Sequence, residues 1–400
     1  MNELAALGLC VLAYSSDELV IVGADGGEGE GMSMRSGVMK SLLVGVAILL
    51  AALFAVLRIT HRAMPATGNL PIAASSNAET QAQREKQPVG NLSLRTVSDV
   101  PMSGGATRFD YQSLDSNTGR LYIAHLGDGM MTVFDTNKQT IVGDVKSLPR
   151  VHGVLAVPEL HRILASATGA NELAVIDDQT LQVVARVPAG DYPDGVAYAR
   201  KAKKIYVSDL HGGTDTVIDA ATNQRVATIE LGGGAGNTQY DAGSDHIFVT
   251  VHRLNRLAEI DPQTDQVIAR YELPGCSGSH GLLIDAAHRL AFVACEENAK
   301  LAVFDLDSKK LTAVQSVGAD PDVLAFDEGL GRLYVSAESG VVTVFDERGR
   351  KLEQVWSGFF AKNAHSVAVD QRTHQVYFPL ENVNGKPVLR IVVPSDKETK

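Results

Sequence analysis

Residues 280–305 read HGLLIDAAHRLAFVACEENAKLAVFD, which is three short apolar runs separated by turns. Each run holds about five or six residues rich in Val, Ile, Leu and Phe, a composition typical of strands rather than helices. A period of about 40 residues with several strands per unit predicts a β-propeller with one blade per repeat. The aspartate that closes the stretch recurs at spacings of 42, 42, 42, 44 and 41, at Asp135, Asp177, Asp219, Asp261, Asp305 and Asp346.

The repeats predict seven blades. The last repeat supplies only three strands, over 365–370, 375–380 and 388–393, whereas the strand at 94–100 has no hairpin partner before it. We expect this N-terminal strand to complete the last blade, because closing the ring removes an open sheet edge. The predicted fold class is therefore all-β: a seven-bladed β-propeller closed by its N-terminal strand and preceded by one hydrophobic helix.

The recurring aspartates begin turns such as DTNKQT and DAATNQ. An aspartate at the first position of a turn accepts a hydrogen bond from the backbone two residues on. We interpret these aspartates as turn formers and not as metal ligands.

The segment before the propeller contains Ser41–Leu57, a continuous apolar run of 17 residues flanked by basic residues. This length suits an uncleaved signal anchor, and a cleaved export signal is the alternative. Met32 and Met34 are alternative translation starts, and we expect the propeller to lie outside the cytoplasm. The predicted organisation is an N-terminal segment (1–40), a transmembrane or signal-anchor segment (41–62), a flexible linker (63–91), the propeller (92–394) and a tail (395–400).

The composition of the chain argues against a nucleic-acid-binding protein and against a disulfide-rich scaffold. The net charge is −11 and aromatic residues make up 6% of the chain, so no basic footprint or base-stacking platform for nucleic acid is present. The three cysteines, Cys10, Cys276 and Cys295, are too few for a disulfide scaffold. Cys276 and Cys295 fall in one repeat, and whether they pair depends on a Cα separation within about 7 Å.

Four second strands, LYIAH, IYVSD, IFVTV and LYVSA, are each followed by a turn, a strand that ends in Asp (typically V-[IF]-D) and an outer strand that ends near a Gly. This pattern resembles the YVTN-type repeat of the YncE-like β-propellers over about 92–393, and it is similar to the propellers of cytochrome d1-type and quinohaem amine dehydrogenase subunits. The resemblance implies an exported, often periplasmic protein. It supplies no catalytic motif that transfers to this chain.

A second regularity is a polar residue just before each inner strand's apolar run. We call these seven residues the polar ring: Asp110, His152, Asp194, Asn237, His280, Asp322 and His365, spaced by 42 or 43 residues. Fifteen residues after each of them we place the end of the second strand, at His125, Ala167, Asp209, His252, Cys295, Ala337 and Leu380. Antiparallel pairing predicts that the two positions face each other, as Asp110/His125, Asp194/Asp209, Asn237/His252 and His280/Cys295.

Two interpretations of the ring stay open. Polar residues there border a wet channel and bond only to neighbouring backbone, or they form a ligand site at the channel mouth. Imidazole and thiolate groups suit zinc or copper, and two facing aspartates repel each other unless one is protonated or a cation lies between them. The candidate metal ligands are His152, His252, His280, Cys295 and His365; His211, Glu296–Asn298, Phe359 and Phe360 are candidates for the same rim.

The predicted function is a membrane-tethered, extracytoplasmic and monomeric propeller that binds a small molecule, a metal or an envelope protein at this mouth. One alternative is a metal-dependent propeller enzyme of the lyase or lactonase type, in which a histidine acts as general acid or base. The other is an interaction scaffold of the cell envelope. No nucleic-acid partner is expected, and the cofactor is not identified beyond a divalent or soft metal ion.

Overall fold

The computed structural model describes residues 11–15, 18–22 and 88–396. The strands Val11–Ser15 and Glu18–Val22 form an antiparallel hairpin in which Val11 lies opposite Val22. The predicted anchor at 41–62 and most of the predicted linker lie outside the described residues. Among the residues described, no helix is long and apolar enough to cross a membrane.

The rest of the described chain forms seven antiparallel sheets, which confirms the seven blades expected from the repeat. From the inner to the outer strand, blades one to three are Gln112–Asp115, Arg120–His125, Met130–Asp135 and Thr140–Val145; Val151–Val157, Arg162–Ala167, Glu172–Asp177 and Val183–Pro188; and Pro193–Ala199, Lys204–Asp209, Thr214–Asp219 and Gln224–Glu230.

The remaining blades follow the same order. Blades four to six are Ala235–Asp241, His246–Val251, Arg256–Asp261 and Gln266–Glu272; Ser279–Asp285, Leu290–Cys295, Lys300–Asp305 and Lys310–Ser316; and Pro321–Asp327, Arg332–Ala337, Val341–Arg348 and Lys351–Phe359. Blade seven is Ala368–Asp370, Gln375–Val383, Lys386–Asp396 and Leu92–Pro101. Single turns of 3-10 helix occupy Leu126–Asp128, Pro158–Leu160, Thr168–Ala170, His252–Leu254 and Glu296–Asn298.

Burial explains the different sequences of second and outer strands. Every residue of Leu290–Cys295 is buried, because this second strand has a neighbouring blade on each face. Its sequence LAFVAC is accordingly apolar throughout. The outer strand Gln266–Glu272 alternates between exposed and half-buried residues, because only one of its faces packs inward.

The N-terminal strand closes the propeller, as predicted. Leu92–Pro101 pairs antiparallel with Lys386–Asp396, and Ser98 lies opposite Ile391. The N-terminal strand and the C-terminal strand of the propeller therefore share one sheet, which is the seventh blade.

Two residues of the predicted linker also form structure. Val89 and Gly90 pair with Ser357 and Trp356 on the outer strand of blade six. Gly90 has a φ of 121°, and a Cβ placed there would lie 2.0 Å from the carbonyl oxygen of Val355. Only glycine allows this close approach between the two backbones.

The repeated aspartates act as turn formers, as predicted. The Oδ1 atom of Asp135 accepts hydrogen bonds from the backbone N–H groups of Asn137 and Lys138 at 3.0 and 2.9 Å. The same bond pattern recurs at Asp177, Asp219 and Asp305. These carboxylates are therefore committed to backbone donors.

Candidate ligand site at the channel mouth

All seven residues of the polar ring are buried. Their exposed fractions run from 1% at His365 to 8% at His280. They lie at or just before the start of the inner strands, at one end of the central channel. The repeat therefore brings together side chains that lie far apart in sequence. Their environments differ, however, and only some of them contact one another.

The predicted facing pairs are wrong by about one residue. In blade three Pro193, and not Asp194, lies opposite Asp209, and in blade five Ser279, and not His280, lies opposite Cys295. Each inner strand contains a β-bulge directly after this pair, which inserts one unpaired residue. The extra residue turns the ring side chain away from its own hairpin, and Asp194 and His280 instead approach each other.

Hydroxyl groups on the second strands hold these bulges in place. In blade four, Thr250 Oγ1 accepts a hydrogen bond from the Asn237 N–H at 2.8 Å and donates to the His280 carbonyl at 2.6 Å. In blade two, Ser166 Oγ accepts from the Gly153 N–H at 2.7 Å and donates to the Asp194 carbonyl at 2.6 Å. Each hydroxyl thus ties the bulge of its own blade to the ring residue of the next blade.

A histidine links two aspartates across the mouth. His280 Nε2 lies 3.4 Å from Asp194 Oδ2, two blades away, and 3.9 Å from Asp322 Oδ1 on the neighbouring blade. His365 Nε2 lies 4.0 Å from Asp322 Oδ2. Residues of blades three, five, six and seven take part in these contacts, and blade four lies between the first two of these blades.

Burial dominates the electrostatics of this network. Burial and the negative charges of Asp110 and Asp322 raise the pKa of Asp194 to about 8, against the opposing charge of His280. Burial and the charge of Asp110 raise the pKa of Asp322 to about 6. Burial alone would lower the pKa of His280, but Asp194 and Asp322 outweigh it and raise that pKa. The ring thus holds buried carboxyl groups whose negative charge is only partly balanced by neighbouring positive charge.

Arg108 is a charged residue of the mouth that the repeat did not reveal. Its guanidinium bonds Glu338 Oε1 at 2.7 Å and lies 3.7 Å from Asp110 and 3.9 Å from Asp322. It precedes the ring position of blade one by two residues. In five other blades the residue at the equivalent position has a positive φ, namely Arg150, Tyr192, Gly278, Asp320 and Asn363. These residue types share no pattern, so the repeat does not mark Arg108 in the sequence.

Three of the predicted second-strand residues serve the fold instead of the mouth. His125 is fully buried, stacks on Phe109 with 4.1 Å between ring centroids, and bonds Thr107 at 2.9 Å. Asp209 accepts hydrogen bonds from Thr214 and Thr216, each at 2.8 Å.

The third such residue is Cys295, which forms a disulfide with Cys276 across a sequence separation of 19 residues. The Cα atoms lie 5.2 Å apart, within the range that a disulfide needs. Both cysteines are buried, at 0% and 6% exposure. In this oxidised form Cys295 has no thiolate to offer as a metal ligand, contrary to our expectation from the sequence.

The residue directly after the second strand forms a second polar tier above the ring. In blades four to six these residues are His252, Glu296 and Glu338, and Glu381 holds the equivalent position within the longer second strand of blade seven; the spacings are 44, 42 and 43 residues. His252 Nε2 lies 3.1 Å from Glu296 Oε2 on the next blade. The hydrogen bond from His252 lowers the pKa of Glu296. The bulge register assigns His252 to this tier, whereas equal spacing from the ring had aligned it with Cys295.

The predicted ligand His152 is satisfied by its neighbours. Its Nδ1 lies 2.8 Å from both the Arg150 carbonyl and Thr168 Oγ1, and its Nε2 lies 3.1 Å from the Tyr192 hydroxyl. His211, another candidate for the rim, packs on the Tyr192 ring at 4.2 Å between centroids.

The two phenylalanines proposed for the rim differ from each other. Phe360 packs on Phe378 with 4.3 Å between ring centroids, so it serves packing beneath the linker to blade seven and not the rim. Phe359 is 39% exposed.

A cavity of about 170 Å³ occupies the channel and is lined by the inner strands of all seven blades. Tyr111, Asn237 and Asp322 form part of its wall, and the Tyr111 hydroxyl lies 3.4 Å from Asp322 Oδ1. Burial and the charge of Asp322 raise the pKa of Tyr111 well above its ordinary value. The cavity is large enough for a few water molecules or a very small ligand beside the ring.

Several buried polar atoms at the mouth lack a hydrogen-bond partner among the residues described: Asp194 Oδ1, His280 Nδ1 and His365 Nε2. Such atoms cost stability unless water or a ligand satisfies them. Two groups of side chains have ligand atoms within 4.8 Å of one another here, one formed by His252, His280 and Glu296 and the other by Asp110, Asp322 and His365. A third group, Asp285, His288 and Glu347, belongs to turns at the opposite end of the blades.

The fold and the mouth define a seven-bladed β-propeller with a buried ring of carboxylates and imidazoles at one end of its channel. The model of a family described as the YNCE-like beta-propeller matches residues 126–237, which supports the resemblance drawn from the repeat. No curated protein matches the sequence.

Solved structures share the fold at low sequence identity. The chain is similar to Kuenenia stuttgartiensis hydrazine synthase, at 15% identity and a TM-score of 0.63, over 76% of this chain and 99% of that one. It is also similar to U3-55K, at 10% identity and a TM-score of 0.64, over 75% of this chain and 100% of that one. At these identities the likeness concerns the fold alone.

Proposed function

We propose that this propeller binds a small cationic ligand, specifically a divalent metal ion, at the polar mouth of its channel. The observation that carries the proposal is the cluster of buried acids and imidazoles whose charges and polar atoms are incompletely satisfied. Asp110, Asp194 and Asp322 are 2%, 2% and 5% exposed, and such groups are stable as carboxylates only beside compensating positive charge. A bound cation would supply that charge and release protons as the raised pKa values fall.

The test compares histidines at the two ends of the same blades. The double variant His280→Ala/His365→Ala removes one member from each candidate group at the mouth, whereas His288→Ala/His374→Ala changes blades five and seven at their opposite ends. Chelated, tag-free protein is titrated with Zn²⁺, Mn²⁺ and Ca²⁺ by calorimetry and thermal unfolding. We expect the wild type and the second variant to bind a metal and to melt higher with it, and the first variant to lose both effects.

Two results contradict the proposal. If the wild type takes up none of the three ions at micromolar concentration, the ring is structural. If only His288→Ala/His374→Ala loses binding, the cation lies at the opposite end of the propeller.

We further propose that the propeller works outside the cytoplasm, tethered by the segment 41–62. The Cys276–Cys295 disulfide supports an oxidising compartment, because disulfides rarely persist in the cytosol. Fractionation of cells that express the full chain tests the tether. Recovery of the protein in the soluble periplasmic fraction with a new N-terminus between residues 63 and 87 would show a cleaved signal instead.

The Asp194–His280 contact favours one second function, a metal-dependent enzyme of the lyase or lactonase type. A histidine 3.4 Å from a carboxylate is suited to general acid–base chemistry beside a cation. Turnover of small lactones by the metal-loaded wild type, lost in Asp194→Asn with the metal still bound, would establish it. Binding without turnover leaves the protein as a binding module.

A further inference from the structure

We infer that the cation is held by His252, His280 and Glu296, in a nitrogen-rich site that prefers zinc or a similar first-row ion to calcium and magnesium. This inference rests on the proposed function and assigns its position and metal class. Two imidazoles and one carboxylate are the three protein ligands of many zinc sites that keep a further position open. Calcium and magnesium prefer oxygen ligands throughout.

The three side chains already converge. Their ligand atoms lie within 4.8 Å of one another, and His252 Nε2 and Glu296 Oε2 are 3.1 Å apart. The two imidazole rings meet edge to face, with 5.9 Å between centroids and 85° between planes. Bonds of about 2.0–2.2 Å to one ion place neighbouring ligand atoms about 3–3.5 Å apart, so small side-chain rotations suffice.

His280 has the environment of a supported metal ligand. One of its nitrogens, Nε2, lies 3.4 Å from Asp194, and the other, Nδ1, has no hydrogen-bond partner among the described residues. A carboxylate behind one nitrogen fixes the orientation of an imidazole that binds metal through the other. The residue is only 8% exposed, so bulk water does not readily satisfy the free nitrogen.

The surrounding backbone keeps His280 and Glu296 in place. Thr250 Oγ1 donates to the His280 carbonyl at 2.6 Å. A Cβ at Gly236 would lie 3.1 Å from His280 Nδ1, so glycine leaves the imidazole its room. Glu296 directly follows Cys295, and the disulfide to Cys276 anchors that strand end to the preceding loop.

The other group at the mouth is the less suitable position. Arg108 lies 3.7 Å from Asp110 and 3.9 Å from Asp322, so a guanidinium already offsets part of their charge. A metal ion there would have to displace this cation. Within the described chain no arginine or lysine forms an ion pair with Glu296, and Arg108 acts on it only from a longer distance.

The experiment titrates chelated full-length protein with Zn²⁺, Co²⁺ and Ca²⁺, and it follows the visible absorption of bound Co²⁺ as a record of the ligands. Wild type should bind one Zn²⁺ per chain far more tightly than Ca²⁺. His252→Ala and Glu296→Gln should each weaken Zn²⁺ binding by more than about 100-fold, beyond the 10–100-fold loss usual for a supporting residue such as Asp194. Glu296→Gln keeps the size of the side chain, so it serves if His252→Ala does not fold.

The outcomes of this experiment distinguish a failure of the present inference from a failure of the proposed function. If His365→Ala and Asp110→Asn abolish binding while His252→Ala and Glu296→Gln retain it, the cation occupies the other group. The proposed function then stands and the present inference is overturned. If wild type binds Ca²⁺ in preference to Zn²⁺, the inference is likewise wrong. If wild type binds no ion, both fail.

Discussion

At the residue scale, the least expected feature is Asp215, a fully buried aspartate on the third strand of blade three. Its Oδ2 accepts a hydrogen bond from Thr238 at 3.0 Å, and no cation pairs with it within the described residues. Burial and the negative charge of Asp209 raise the pKa of Asp215 well above its ordinary value. The side chain therefore keeps its proton to a higher pH than an exposed aspartate does.

The raised pKa of Asp215 predicts how the free energy of unfolding changes with pH. The folded protein keeps a proton on Asp215 that the unfolded chain loses above about pH 4. The free energy of unfolding therefore falls as pH rises from about 4 towards the folded-state pKa, by at most about 1.4 kcal/mol per pH unit. Asp215→Asn removes this slope, so the variant should gain stability relative to wild type between pH 5 and pH 8 in urea unfolding.

Asp219 in the same blade is the matched control. The Thr222 N–H lowers the pKa of Asp219, so this group gains or loses protons only in acid. Asp219→Asn should leave the slope between pH 5 and pH 8 as it is in wild type. A wild-type slope that Asp215→Asn does not change would mean that Asp215 ionises normally.

At the scale of the structural element, blades two, three and four are each joined to the next blade through a second-strand hydroxyl that spans the bulge. Thr250 bonds both the Asn237 N–H of its own blade and the His280 carbonyl of the next blade. The residues that do this, Ser166, Ser208 and Thr250, each precede the last residue of the second strand. Ser336 holds the same position in blade six, but its hydroxyl has no hydrogen-bond partner among the described residues. The joining role of these hydroxyl groups was not predicted from the sequence, because serine and threonine also fit the ordinary composition of a strand.

The role of Thr250 predicts an asymmetry between two conservative substitutions. Thr250→Val keeps the shape but leaves two buried backbone groups unpaired, at about 1–3 kcal/mol each. It should therefore lower the free energy of unfolding by about 2–4 kcal/mol, whereas Thr250→Ser keeps the hydroxyl and should cost less than about 1 kcal/mol. Chemical denaturation of the three proteins measures this. A Thr250→Val variant that loses no more stability than Thr250→Ser would show that the hydrogen bonds of the hydroxyl contribute little.

At the scale of the whole molecule, closure joins chain segments almost three hundred residues apart. Arg390 on the third strand of blade seven bonds Asp99 on the closing strand at 2.6 and 2.7 Å. Leu92 is 1% exposed and belongs to the core shared by blades six and seven. The closing strand thus contributes to the core and not only to the sheet edge.

Closure predicts the effect of truncation. A chain that starts at Gly104 lacks Leu92–Pro101 and exposes the edge of Lys386–Asp396, so it should aggregate or melt far below a chain that starts at Gln87. Thermal unfolding and size-exclusion chromatography of the two proteins measure the difference. Because blade six also pairs with Val89 and Gly90, a chain that starts at Leu92 should melt only slightly lower than the longer one. Equal melting of all three would show that the N-terminal strand is dispensable.

The sequence alone determined the blade number, the closing strand and the position of the polar ring. These features follow from a repeat of about 42 residues, and the alternation of apolar residues within each strand is local information. Only the tertiary structure decided which ring residues meet. The bulge adds one residue without disturbing the apolar pattern, so strand spacing did not reveal that Asp194 faces away from Asp209. Asp194 approaches His280 and Arg108 approaches Asp322 because of their angular positions around the channel axis, and that arrangement exists only once seven blades have closed.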